Sequence, residues 1–154
     1  MPNINNKINN KTNNREYWLG CDFGTHNIGF SIGQKITKSA SPLCVIPAKK
    51  GIPNWDQITE IINKWQPCGI IIGLPLHEDG SPSDMSKLAK QFGDKLSNIT
   101  KIKIYYINEH LSSRTIKDDI IKHNFNRNKK IDLKARIDSL SACLILETWL
   151  NINS

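Results

Sequence analysis

Cys68-Gly69-Ile70-Ile71-Ile72-Gly73 carries no charged or strongly polar side chain along its whole length. A strand this apolar cannot rest one face on water. It must lie inside a sheet that is covered on both sides, which requires helices above and below. Two segments have the pattern to supply them. Trp55, Ile58, Ile61, Ile62 and Trp65 recur at helical spacing, with Asn54 as the N-cap and Gln57 at the capping-box position. Met85, Leu88, Ala89, Phe92 and Leu96 mark a second helix, with Ser81 as its N-cap and Pro82 at the first helical position.

The other elements fall into place around that strand. Tyr17 to Cys21 and Asn27 to Gly33 read as strands joined by the Gly24-Thr25-His26 turn, and a third strand is expected around Pro42 to Ile46. Pro47 to Pro53 reads as a loop. Lys103 to Ile107 is the fifth strand, and Asn108-Glu109-His110 follows at its C-terminal end. Ser112 opens a third helix ending near Lys122, Asn124 to Lys130 is a basic loop, and Asp132 starts a final helix reaching about Leu150. The order β-β-β-α-β-α-β-α-α predicts an α/β fold of the ribonuclease-H-like kind. Its five-stranded mixed sheet has the order 3-2-1-4-5 and is flanked by helices. Residues 16–151 are expected to form a single domain. Met1 to Arg15 holds seven Asn and is expected to be a disordered tail, dispensable for chemistry.

Charge and cysteine usage narrow the function. The net charge is +7, and from Arg114 to Arg136 there are eight Lys/Arg against three Asp. Such a stretch suits a polyanion, because each neutralised phosphate releases counterions. Arg114, Lys117, Arg127, Lys129, Lys130 and Lys134 are the expected nucleic-acid contacts; the plainer reading is a solvated basic surface. Phe125 either stacks on a base or packs locally. No apolar run approaches the length of a membrane span, and Met1 to Arg15 has no apolar core of a secretory signal, so the expected location is the cytoplasm. Cys21, Cys44, Cys68 and Cys143 form no Cys-x-x-Cys pair, which argues against zinc or redox chemistry. Cys21, Cys68 and Cys143 lie in apolar segments and read as buried thiols.

Three carboxylates stand where folding alone does not ask for them. Asp22 ends the first strand, Glu109 ends the fifth, and Asp138 lies in the last helix on the face of Ala135, Ala142 and Trp149. Each has a structural alternative: a turn cap for Asp22, a helix-start charge for Glu109, a surface pair with Lys134 for Asp138. Together they make an oxygen ligand set suited to Mg²⁺ or Mn²⁺, able to support phosphodiester hydrolysis. In the expected order, Asp22 and Glu109 sit two strands apart, roughly 9–10 Å. They meet only over the end of strand four, where Gly73 leaves room. His77 and His110 face the cleft or are ordinary loop residues; His26 and His123 read as surface positions.

Four segments then carry a family resemblance. Asp22-Phe23-Gly24-Thr25 with Ile28-Gly29, Ile72-Gly73-Leu74-Pro75-Leu76 with Asp79-Gly80, Glu109-His110-Leu111-Ser112, and Asp138-Ser139-Leu140-Ser141-Ala142 resemble, in order and spacing, the motifs of the YqgF/RuvX family. The resemblance spans about residues 17–150. Members are described as pre-16S rRNA nucleases and formerly as Holliday junction resolvases. The resemblance implies a ribonuclease-H-like nuclease, with Asp22, Glu109 and Asp138 as metal-binding and catalytic carboxylates. It implies a pre-rRNA or branched-DNA substrate and action on a ribosomal precursor particle. The chain departs from the family pattern at His26-Asn27, where a basic pair is usual, and at Asn108 and His110, where Asp and Arg are usual. Those changes reduce positive charge near the site.

Two other classes share parts of this pattern. An actin-like ATPase or sugar kinase also places an Asp-x-Gly-Thr turn after its first strand, but needs two such domains. A non-catalytic nucleic-acid-binding protein on the same fold would use the basic stretch without cleavage.

Overall fold

The computed structural model describes residues 16–109 and 133–153, with side chains in the second segment from Ser139 onward. Strands β1 (Tyr17–Asp22), β2 (Asn27–Gln34), β3 (Ser39–Lys49) and β4 (Ile52–Pro53) precede helix α1 (Trp55–Trp65). Then come β5 (Gly69–Leu74), α2 (Asp84–Thr100), β6 (Ile104–Asn108) and α3 (Leu133–Ile152). The sheet order is β4-β3-β2-β1-β5-β6. β1 runs antiparallel to β2 and parallel to β5, and β6 continues the parallel half.

All six residues of β5 are buried, as an unbroken apolar strand requires. Alternation divides the core in two. Leu19, Cys21, Ile70, Ile72 and Leu74 face α1 and α2, together with Ile58, Ile62, Ala89, Phe92 and Leu96. Trp18, Ile71 and Ile107 face α3, together with Ile145, Leu146, Trp149 and Leu150. The two helices covering the first face end as their sequences allow. Asn54 accepts from the amides of Asp56 and Gln57, and Gln66 closes α1 in the left-handed conformation.

Helix α3 approaches the sheet closely at Ala142, a small inward residue. Ser31, fully buried, donates its hydroxyl to the Ala142 carbonyl at 2.8 Å. Beneath them Gly20 has no side chain. A Cβ there would lie 2.5 Å from the Ala142 carbonyl oxygen and 2.7 Å from Leu146 Cβ, and would also meet the Ser31 hydroxyl. Gly20→Ala is therefore expected to destabilise the fold by about 2–3 kcal/mol. A urea-unfolding midpoint equal to the wild type's would contradict that close approach.

The structure corrects several expectations. The sheet has six strands rather than five, because the expected Pro47–Pro53 loop is a hairpin. β3 extends to Lys49, and Ala48 and Lys49 pair with Pro53 and Ile52 of β4. Lys50 and Gly51 both have positive φ, 52° and 81°, the conformation that closes a two-residue hairpin. Helix α2 is capped by Ser83, not Ser81. Ser83 and Ser86 form a reciprocal capping box, while the Ser81 hydroxyl and amide are taken by Asp79. Leu88 sits at the edge of its helix stripe, 37% exposed. Cys68 precedes β5 and is exposed rather than buried. Cys21 and Cys143 are buried as expected. The expected N-terminal tail, the third helix and the Asn124–Lys130 loop lie outside the described residues. Among the described residues no helix is long and apolar enough to cross a membrane.

Candidate metal and active site

Asp22 is the last residue of β1, half-buried and opposite Gly29 of β2. Its neighbours Cys21 and Phe23 point into the core under α1 and α2, so alternation turns Asp22 to the α3 face. The turn that follows is tight: a Cβ on Gly24 would lie 2.6 Å from the Asn27 carbonyl oxygen. The turn is also braced. Gly51 donates its amide to the Thr25 carbonyl at 3.0 Å, and Ala48 donates to His26 at 2.8 Å. The β3–β4 hairpin thus fixes the segment just beyond Asp22.

Glu109 directly follows β6 and is half-buried. Leu74 pairs with Asn108 and Gly73 with Ile107. Ile107 packs under α3, and Glu109, two residues on, follows it to the same face. Gly73 is the meeting point. A Cβ on it would lie 2.9 Å from Glu109 Cγ and 2.5 Å from Ile145 Cδ1. The stem of Glu109 therefore lies across the end of β5. Cys21 pairs with Ile72, which sets Asp22 level with Gly73 on the other side. Asp22 and Glu109 flank one glycine on one face, at the carboxyl ends of parallel strands. This is the arrangement expected from the sequence, although Gly73 is closely covered by Ile145 rather than open.

Asp138 lies in α3, one turn before Ala142. The helix runs antiparallel to β1: Ala142 sits over Gly20, and Trp149 packs on Trp18 with ring centroids 4.8 Å apart. Its backbone at residue 138 is thus about 6 Å nearer the Asp22 end than Ala142. The Asp138 side chain lies outside the described residues, as do His110, Arg114, Lys117, Phe125, Arg127, Lys129 and Lys130. Lys134 is placed in α3 by its backbone alone. Among the described residues no three or more His, Cys, Asp or Glu side chains gather into a metal-binding group.

The thiols are not candidate ligands here. Burial pushes the Cys21 thiol well above its ordinary range, with further upward contributions from the Asp22 and Cys44 charges. Burial likewise pushes Cys143 up to about 12. His77 and His26 are exposed. Asp79 has a structural role in the loop after β5. It accepts from the Ser81 hydroxyl at 2.6 Å and the Ser81 amide at 2.9 Å, and the hydroxyl bond followed by the amide bond holds its pKa below the usual value. Gly80, with φ 85°, completes that turn. Ser83 then donates its hydroxyl to the Pro75 carbonyl, tying the Leu74-Pro75-Leu76 segment to the start of α2.

Sequence reasoning missed three contributors to this end of the sheet. They are the bracing hairpin, the cover of Gly73 by Ile145, and the link from Ser83 to Pro75. The Lys50-Gly51 pair was a usable signal for the hairpin, obscured by Pro47 and Pro53. Nothing in the chain pattern signals the other two, which depend on tertiary register.

The strand order, the helices on both faces and the carboxylates at the strand ends define an α/β protein of ribonuclease-H-like fold. Solved structures agree: a Thermus thermophilus RuvC in complex with Holliday junction substrate superimposes with a TM-score of 0.59. It is 10% identical and covers 91% of this chain and 98% of its own. A fowlpox virus resolvase with its substrate Holliday junction DNA superimposes at 0.53, with 14% identity over 88% of this chain and 97% of its own.

Residues 16–152 match the family model described as RuvX, Holliday junction resolvase, and the chain belongs to that family. A relative from Actinobacillus pleuropneumoniae is 40% identical over 131 residues, covering 85% of this chain and 93% of its own. One from Pseudomonas paraeruginosa is 37% identical over 132 residues, covering 86% and 90%. Both carry the name "Putative pre-16S rRNA nuclease".

Proposed function

We propose that this chain is a metal-dependent nuclease that hydrolyses phosphodiester bonds in 5′-end maturation of pre-16S rRNA. Residues 16–151 form its nuclease domain, and it acts in the cytoplasm on a ribosomal precursor particle. The observation that carries the reading is the placement of Asp22 at the end of β1, level with Gly73 on the neighbouring strand, with the Glu109 stem lying across Gly73. Membership of the RuvX family and the nuclease names of relatives near 40% identity support it.

The donors suit a hard cation. Asp22 and Glu109 offer carboxylate oxygens, and the nearby Cys21 thiol faces the opposite side of the sheet and stays protonated. Such a set fits Mg²⁺, or Mn²⁺ in its place. When bound, the ion would supply Lewis acidity at the phosphate and a more acidic water. The chain's own groups do the positioning. Asp22 and Glu109 would hold the ion, with Asp138 of α3 as the third ligand. Gly73 lets Glu109 cross β5, and the braced Gly24–His26 turn keeps Asp22 from shifting. Arg114, Lys117, Arg127, Lys129, Lys130 and Lys134 bind the substrate backbone.

The test is cleavage of a 5′-extended 16S rRNA precursor and of a four-way DNA junction, with Mg²⁺, Mn²⁺ and EDTA. Metal-dependent cleavage of the precursor is expected. Cleavage confined to the junction assigns the chain to resolution instead. Retained binding without cleavage of either leaves a nucleic-acid-binding module.

A further inference from the structure

The β3–β4 hairpin does more than brace the Asp22 turn. On β3, Ile46 is buried and Ala48 packs against the α1/α2 core, so alternation turns Lys49 to the opposite face, the one that carries Asp22. Its cross-strand partner Ile52 shares that face. Lys49 and Lys50 are exposed, and Ile52 is 66% exposed. Two lysines and a large apolar side chain therefore stand together at a rigid tip, beside exposed His26. The tip is held by amide-to-carbonyl bonds at Thr25 and His26. Asp22 is level with Val45 through Gly29. Lys49 thus lies four residues farther along β3 and two strands across, on the order of 15 Å from Asp22.

We propose that this hairpin tip is a substrate arm. Lys49 and Lys50 engage backbone phosphates a few nucleotides from the bond cut at Asp22, and Ile52 offers the apolar surface for a sugar or base beside them. The inference rests on the nuclease reading and deepens it. It adds positive charge at the edge of the site where the first turn carries only His26-Asn27. A lysine on a flexible stem suits a phosphate whose position varies, because it binds as a point charge rather than through fixed geometry.

The experiment compares the wild-type chain with the double variant Lys49→Gln/Lys50→Asn. Asparagine is chosen at position 50 because it tolerates the left-handed backbone there, φ 52°. Binding to a fluorescent four-way DNA junction and to a single-stranded RNA is measured in EDTA from 50 to 300 mM KCl. Each phosphate that a lysine no longer neutralises takes about one unit from the slope of log affinity against log salt. The double variant is expected to lose one to two units of slope and to bind at least 10-fold more weakly at the lowest salt. Its Mn²⁺ affinity and melting temperature should match the wild type's. A wild-type slope in the double variant overturns the arm alone. A wild type that binds neither polynucleotide overturns the arm and the nuclease reading together.

Discussion

Asp22→Asn is expected to lower metal-dependent cleavage by two orders of magnitude or more while leaving the fold intact. The carboxylate ends β1 and faces α3 beside Gly73, where it would hold the cation together with Glu109. Asparagine keeps the shape and the hydrogen-bonding oxygen but removes the charge. A hard divalent ion loses much of its attraction to the site, and several kcal/mol of transition-state stabilisation go with it. Each 1.36 kcal/mol is tenfold in rate, so about 3 kcal/mol corresponds to the expected loss. Stability should move the other way or not at all. In the absence of metal the substitution removes a negative charge from the face that Glu109 shares, a charge that adds to the upward push of burial on the Cys21 thiol. The checks are single-turnover cleavage and a melting curve in EDTA. Undiminished cleavage by the variant would remove Asp22 from the catalytic site.

Gly73→Ala is expected to weaken Mn²⁺ binding by about 10- to 100-fold, the cost typical of disturbing a group that orients a metal ligand. It is also expected to destabilise the fold. A new Cβ would meet two neighbours, Ile145 Cδ1 at 2.5 Å and Glu109 Cγ at 2.9 Å. These effects can be separated. Ile145→Ala removes the aliphatic atoms on one side and costs about 2–5 kcal/mol by itself. Added to that background, Gly73→Ala should cost less stability than it does in the wild type, because the space on the Ile145 side is already vacated. Metal affinity should remain weak, because Glu109 is still pushed aside. A double variant that regains wild-type Mn²⁺ affinity would mean that Gly73 serves packing only.

Much of this architecture can be read from the chain because its signals are local. The apolar run ending at Gly73 calls for cover on both faces, and β5 is buried throughout. The stripe Trp55, Ile58, Ile62, Trp65 with Asn54 before it specifies α1 nearly to the residue. The hairpin of β3 and β4 was less legible. Pro47 and Pro53 argue against strand, yet both are tolerated at the sheet's margin: Pro53 in the two-residue edge strand, Pro47 as the neighbour of Asn27. The α2 cap was displaced by two residues because Ser81 and Ser83 are equally good caps locally. Asp79 decides the matter by occupying Ser81. At the site, the level of Asp22 with Gly73 follows from strand order and parallel register, so sequence reasoning reached it. Cover of Gly73 by Ile145 depends on where α3 settles over Gly20 and Ser31, and no periodicity encodes that distance.

The most direct test of the central claim is a crystal of the full chain soaked in Mn²⁺, read by anomalous scattering. A peak is expected over Gly73 on the α3 side, with Asp22 and Glu109 carboxylate oxygens within about 2.0–2.6 Å of it and Asp138 completing the set. Manganese bound elsewhere, with Asp22 and Glu109 left uncoordinated at saturating concentration, would contradict it.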